Sequence, residues 1–144
     1  MIRNLLASLL LTACATGPGA VHSTSSLSLP SEEVNLLRRA AGLGPVAESA
    51  RAALAARRHA ADLAANGATG HLGSDGSTHG ERLREAGCRD GVENVAWDMG
   101  SAERAFAAWM ASPDHRRNIL WPEATAYGFA EVRDRWVLVL AESC

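Results

Sequence analysis

Three polar residues stand where side-chain chemistry is conceivable: His71 in "TGHLGSDGST", Glu93 in "GVENVAW" and His115 in "WMASPDHRRNIL". His115 is the most informative of them. An apolar helical pattern stops at Ser112 and another starts at Pro113, so Ser112 reads as an N-cap and Pro113 as the first helical residue. That places His115 in the first turn, where the positive end of the helix dipole disfavours an imidazolium. A neutral imidazole is the form that ligates a metal or accepts a proton. The remaining histidines read otherwise. His59 falls on the Leu63 side of an alanine-rich helix, as a core histidine with one nitrogen satisfied. His79 reads as solvated, and His22 lies in a polar linker. Ser77 sits in no Gly-x-Ser-x-Gly elbow, no HExxH spacing occurs, and Asp75-Gly76 reads as a turn.

These residues need a scaffold, and the chain is long enough to build one. It has 144 residues, 47% of them hydrophobic and 21% charged, which suits a single globular domain with a real core. The formal net charge is −2 and no basic block occurs, which argues against nucleic acid or an anionic membrane surface as partner. Residues 1–13 carry Arg3, an apolar run from Leu5 to Leu11 and then small residues, the form of a secretory signal. The stretch Leu11-Thr12-Ala13-Cys14 resembles a bacterial lipobox, implying cleavage before Cys14 and acylation of its thiol. Ordinary secretion with cleavage near Ala13 to Ala15 is the alternative. Of the three cysteines, assigning Cys14 to lipid leaves Cys88 and Cys144 as a disulfide pair in an oxidising compartment. Residues 14–30, rich in Ser, Thr, Gly and Pro, read as a flexible linker, and the folded domain is expected over 31–144.

Within that domain Ser31 reads as the cap of a first helix, with Val34, Leu37 and Ala41 as its buried stripe. Arg38 and Arg39 suit its negative end, and Gly42 stops it. A second, mostly buried helix is expected from Pro45 to Asn66-Gly67, its charged positions Arg51, Arg58 and Asp62 forming one narrow stripe. Short helical character follows around Glu81 to Ala86, then a brief strand from Glu93 to Ala96. Ser101 caps an amphipathic helix whose Ala102, Ala105, Phe106, Trp109 and Met110 are core. The period then changes: "AYGFAEV" and "RWVLVLA", separated by Arg133-Asp134, read as a hairpin whose second strand is covered on both faces. Helices followed by such a sheet predict an α+β sandwich.

The ordered motifs "VNLLRRAAGLGPV", "RHAADLAANGATGHLGSDGS", "ERLREAGC", "VENVAW", "AFAAWMASPDHRRNIL" and "AYGFAEV" with "WVLVL" resemble the CAP superfamily, in particular its short bacterial branch. That superfamily takes in cysteine-rich secretory proteins, antigen 5 and plant pathogenesis-related proteins. The resemblance covers essentially all of 31–144. It implies a three-layer α-β-α sandwich with a small, mostly antiparallel sheet. It also implies a central cleft in which His71, Glu93 and His115 match the family's two histidines and the glutamate of its "ENIA"-type motif. The family's second acidic residue has no clear counterpart, with Asp75, Asp114 and Glu131 as substitutes.

Two histidines and a glutamate suit zinc or another divalent cation, provided all three face one point. The leading expectation is therefore a secreted or lipid-anchored binding protein of the cell envelope. It is expected to be monomeric and without covalent chemistry, taking a metal on His71 and His115 or a small-molecule, lipid or envelope ligand in the cleft. A metal-assisted peptidase with Glu93 as general base is the second expectation, and a purely structural envelope protein the third. Arg116 and Arg117 read as surface charge, with Asn118 bracing the backbone.

Overall fold

The computed structural model describes residues 29–144, so the signal sequence, Cys14 and the linker up to residue 28 lie outside the described residues. Among these residues the order is α1 (Leu29–Ala40), β1 (Ala47–Glu48), α2 (Ala50–Asn66), α3 (His79–Glu85), β2 (Gly91–Trp97), α4 (Ala102–Ala111), α5 (Pro113–Ile119), β3 (Ala126–Val132) and β4 (Arg135–Ala141). The four strands lie in the order β1-β3-β4-β2. Only β1 runs parallel to its neighbour; β3 and β2 both pair antiparallel with β4. Arg133 and Asp134 have φ of 48° and 61°, the backbone of a two-residue hairpin turn that matches the strand twist.

The sheet is filled on both faces, as the α-β-α expectation requires. Leu138 and Leu140 of β4 pack with Val34, Phe106, Trp109, Ile119 and Tyr127, under α1, α4 and α5. Val137, Val139 and Ala141 point the other way, into a second cluster with the α2 alanines, Leu63 and Leu83. Period-2 alternation splits one strand between two cores, which is why β4 reads as an unbroken apolar run. The α2 layer lies very close to the sheet. A Cβ at Gly128 of β3 would come within 2.1 Å of the Ala52 carbonyl carbon, so only glycine fits beneath that helix.

Several boundaries differ from the sequence reading. Helix α1 begins at Leu29 with Pro30 in its first turn, a position proline favours, so Ser31 lies inside the helix and is not its cap. Ala41 is exposed, and Arg38 takes the expected core position, 1% exposed. Its guanidinium donates to the carbonyls of Gly44, Ile119, Trp121 and Ala124, so the buried charge is met by backbone dipoles. Helix α2 begins at Ala50, with Ser49 as cap, because Ala47 and Glu48 extend to pair with β3. Its outer face, including Leu54, is exposed, so α2 is amphipathic rather than mostly buried. Gly67 closes it in the left-handed conformation, as expected. Ser112 holds the N-cap position of α5 without a side-chain capping bond.

Cys88 and Cys144 are disulfide-bonded, 56 residues apart, tying the end of the chain to the loop that enters β2. Closing a loop of that length typically stabilises by about 2–4 kcal/mol. Urea denaturation of the Cys88→Ser, Cys144→Ser double variant should show a loss of that size, and an unchanged midpoint would remove the bridge from the stability account.

Candidate functional site

The site is built around the outer edge of β2. Along this strand Glu93 and Val95 face the α2–α3 layer, while Asn94 and Ala96 face α4 and α5. Glu93 is 3% exposed and meets side chains from three segments. Arg82 of α3 donates to both carboxylate oxygens, at 3.2 and 3.0 Å. His71, from the loop after α2, donates through Nδ1 to Oε1 at 2.9 Å. His59 of α2 lies behind, its Nε2 3.7 Å from Oε1 and donating to the Gly70 carbonyl at 2.9 Å. Its Nδ1 is buried without a protein partner among the described residues.

Arg82 also fixes the loop that carries His71. Its guanidinium donates to the backbone carbonyls of His71 and Ser77, at 2.9 and 2.7 Å. From the other side Asp62 accepts hydrogen bonds from the backbone and hydroxyl of Ser74. Asp75 accepts from the Ser77 amide, closing the expected turn. A glycine-rich loop that would otherwise be mobile is thereby held at several points, and the His71 ring stands half-exposed with Nδ1 committed inward. Its Nε2 is left to face solvent or a ligand.

His115 reaches the same edge from the other face. Asn94 donates to the His115 carbonyl at 2.9 Å and accepts from Asn118 at 2.9 Å, while Asn118 also donates to the Glu93 carbonyl at 3.1 Å. Asn118 therefore braces the backbone, as its sequence position suggested. The His115 ring lines a groove of about 240 Å³ with Val95, Trp97, Trp109 and Ser112. It is close enough to His71 for a charge on one to act on the other.

The structure thus joins His71 to Glu93 directly and brings His115 alongside, without a bond between the His115 ring and either residue. Among the described residues no three His, Cys, Asp or Glu side chains are grouped to hold a metal ion. The reason is geometric: Glu93 points beneath the sheet edge and is already bonded to both Arg82 and His71, while His115 approaches from the opposite face.

Of the substitutes for a second acidic residue, Asp75 serves its own turn and Asp114 pairs with Arg117. Glu131 lies on the hairpin and accepts from the Asp134 amide. His79 is only half-exposed, and its ring stands 6.4 Å from that of His71, so it belongs to the site's margin rather than to open solvent. Arg82 and the contact of His59 with Glu93 escaped the sequence reading. Charge at Arg82 carried no signal, because "ERLREAG" holds three further charged residues, Glu81, Arg84 and Glu85.

The electrostatics follow from burial and partners. Burial is the largest influence on Glu93 and raises its pKa. The His71 hydrogen bond and the charges of His59 and Arg82 together outweigh it, leaving the carboxyl below its ordinary value of 4.5. Burial lowers His59 below 6.5, against the pull of Glu93. His115 is lowered chiefly by burial and further by His71, so the neutral imidazole expected from the helix dipole is favoured mainly by desolvation.

With this geometry in view, the likeness to known proteins becomes specific. The sequence pattern of CAP, the cysteine-rich secretory protein family, matches residues 32–139. The chain belongs to this family. Solved structures with the same fold include an extracellular protein containing an SCP domain from Bacillus anthracis, with TM-score 0.72 and 24% identity. That match covers 75% of the present chain and 37% of the Bacillus one. An outer surface protein from Borrelia burgdorferi superposes with TM-score 0.73 at 18% identity, covering 82% of this chain and 92% of that one. A cysteine-rich secretory protein from Staphylococcus aureus gives 0.64 at 21% identity, covering 81% and 38%. The chain therefore spans well under half the length of the Bacillus and Staphylococcus proteins. No curated protein matches it by sequence.

The depressed pKa values act on stability with one sign. Above pH 6.5 both histidines are neutral in folded and unfolded chains, and their contribution is full. As pH falls, the unfolded chain takes up protons that the folded histidines resist, so stability drops. Below about 4.5 the unfolded chain protonates its glutamates first, and Glu93 adds a second loss as pH passes through its folded value. Thermal melts should be flat above neutrality and fall in two stages on acidification. The first stage should shrink more in His59→Gln than in His115→Gln, because His59 is the more deeply buried. Arg82→Met, which strands a buried carboxylate, should cost about 3–5 kcal/mol by denaturant titration at pH 7. The loss should be much smaller in the Arg82→Met, Glu93→Gln double variant.

Proposed function

We propose that this CAP domain is a binding module working outside the cytoplasm, whose cleft receives a ligand on the imidazole nitrogens of His71 and His115. The observation that carries this reading is the double commitment of Glu93 to Arg82 and His71. A carboxylate behind a histidine sets its tautomer and raises the basicity of the outward nitrogen, the arrangement that supports histidine as a metal ligand. The donor set fits a divalent cation such as zinc as two imidazoles, with Glu93 behind one of them rather than on the metal. A bound ion would then polarise whatever completes its coordination. Exposed Leu72 and Trp97 flank the two histidines in sequence or space and suit a ligand with an apolar part.

The same contacts weigh against Glu93 as a general base. Its lowered pKa makes it a weak proton acceptor at neutral pH, and it lies beneath His71 with both oxygens engaged. No observation favours turnover. An extracellular setting is supported by the family, by the surface and extracellular descriptions of the Borrelia and Bacillus proteins, and by the Cys88–Cys144 bridge. The lipobox-like stretch ending at Cys14 extends this to a lipid-anchored envelope protein.

Isothermal titration with zinc chloride tests the binding reading. His71→Ala and His115→Ala should each weaken affinity by about tenfold or more, as removal of one donor requires. Binding should fade on acidification, as protons compete for both rings. Undiminished binding in the double alanine variant would exclude this cleft as the metal site. For the anchor, mass spectrometry should find diacylglyceryl on Cys14, and Cys14→Ser should move the protein from membranes into the soluble fraction.

A further inference from the structure

Away from the histidine cleft, β3 outlasts its neighbour. Strand β1 pairs with Ala126 and Tyr127 alone, Ser49 adds one bond to the Tyr127 carbonyl, and the chain then turns into α2. Across the hairpin Val132 faces Arg135 over a two-residue turn. The backbone groups of Val132, Ala130 and Gly128 therefore bond to β4, while those of Phe129 and Glu131 point away from it. Among the described residues nothing pairs with these outward N–H and C=O groups.

This open edge forms the floor of a groove of about 510 Å³. Its two walls differ, because β3 alternates between the two cores. On the α2 side stand Ala130, Val132 and the Arg57 side chain. On the other side the rings of Phe129 and Trp136 lie 6.0 Å apart, among the carboxylates of Glu48, Glu103 and Glu131. Three carboxylates against one guanidinium leave the groove acidic, and all three glutamates are exposed.

We propose that this groove takes an extended, basic polypeptide segment, which adds to β3 as an edge strand. Phe129 and Glu131 supply the main-chain hydrogen bonds that hold any extended chain. Side chains of the incoming strand then alternate between the walls. A lysine or arginine directed to the aromatic wall lies over the Phe129 and Trp136 rings, where cation–π attraction and the carboxylates act together. Its small apolar neighbours pack against Ala130 and Val132. The open stretch accommodates a segment of about three to five residues at ~3.3 Å per residue. Charge also selects against a second copy of this chain, because pairing two such edges sets like carboxylates against each other.

The test is a nitrogen-15 NMR titration of the full chain with an acetylated, amidated Val-Lys-Val-Lys-Val peptide. The largest shifts should fall on the Phe129 and Glu131 amides, which should also gain protection from solvent exchange. The Glu48→Gln, Glu103→Gln, Glu131→Gln triple variant should bind about tenfold more weakly, and its spectrum reports directly whether the fold is kept. A peptide with N-methylated lysines loses main-chain donors at unchanged charge and should bind at least as weakly. Any of three outcomes overturns the proposal: shifts that map to another surface, equal binding of Val-Glu-Val-Glu-Val, or no loss on N-methylation. Concentration-dependent line broadening centred on β3 without peptide would assign the edge to self-association instead.

Discussion

The buried ion pair between Arg82 and Glu93 is the interaction on which the candidate site depends. A carboxylate 3% exposed in a domain of this size is tolerable only with a full set of donors, and Arg82 and His71 provide them. The pair has a second consequence. The guanidinium that neutralises Glu93 also holds the carbonyls of His71 and Ser77, so one cation joins α3, β2 and the loop between α2 and α3. The His71 ring is oriented by charge and hydrogen bonding together, in a loop with no regular structure to hold it.

A second buried arginine does comparable work on the other face. Arg38 gathers the carbonyls at the end of α5, in the turn after it and in the α1–β1 loop. A chain this short carries two apolar cores split by a sheet, and they reach the connecting loops through isolated residues such as Val46, Ala124 and Cys88. Planar cations with several donors solve the problem locally, because each can satisfy carbonyls from segments far apart in sequence. Arg82 thus ties its helix layer to the loop that carries His71, while Arg38 ties α1 to the end of α5, the helix whose first turn carries His115.

Much of this was legible in the sequence, and for identifiable reasons. Periodicity found the α4 core stripe at Phe106 and Trp109 and the doubly covered strand at Val137 to Ala141. Turn chemistry found Gly67 and Arg133-Asp134. Cysteine arithmetic found the Cys88–Cys144 bridge. Illegible were the features decided by tertiary contact. Arg38 carries the same charge as Arg39 one position along, yet one is buried and the other exposed. Nothing local distinguishes them except the helical phase, which puts Arg38 four residues after buried Val34. That phase could have flagged it. Arg82 likewise adjoins the buried Leu83, but a seven-residue helix is too short for periodicity to point reliably. For the candidate site, motif order singled out His71, Glu93 and His115 as candidates, while their division between two faces of β2 needed the strand's pleat in three dimensions.

The two edges of the sheet show how differently the fold treats exposed backbone. At the β2 edge, Asn118 donates to the Glu93 carbonyl and Trp109 Nε1 to the Val95 carbonyl at 3.1 Å, so side chains stand where a fifth strand would. This blocks strand addition beside the histidines. At the other edge β1 stops after two residues, and no comparable side chain covers Phe129 or Glu131 among the described residues. An unprotected edge normally invites aggregation, which charge on the edge opposes. Glu48, Glu103 and Glu131 supply that charge, all of one sign on one wall. Like-signed protection repels copies of the same chain but leaves the edge open to a partner of opposite charge.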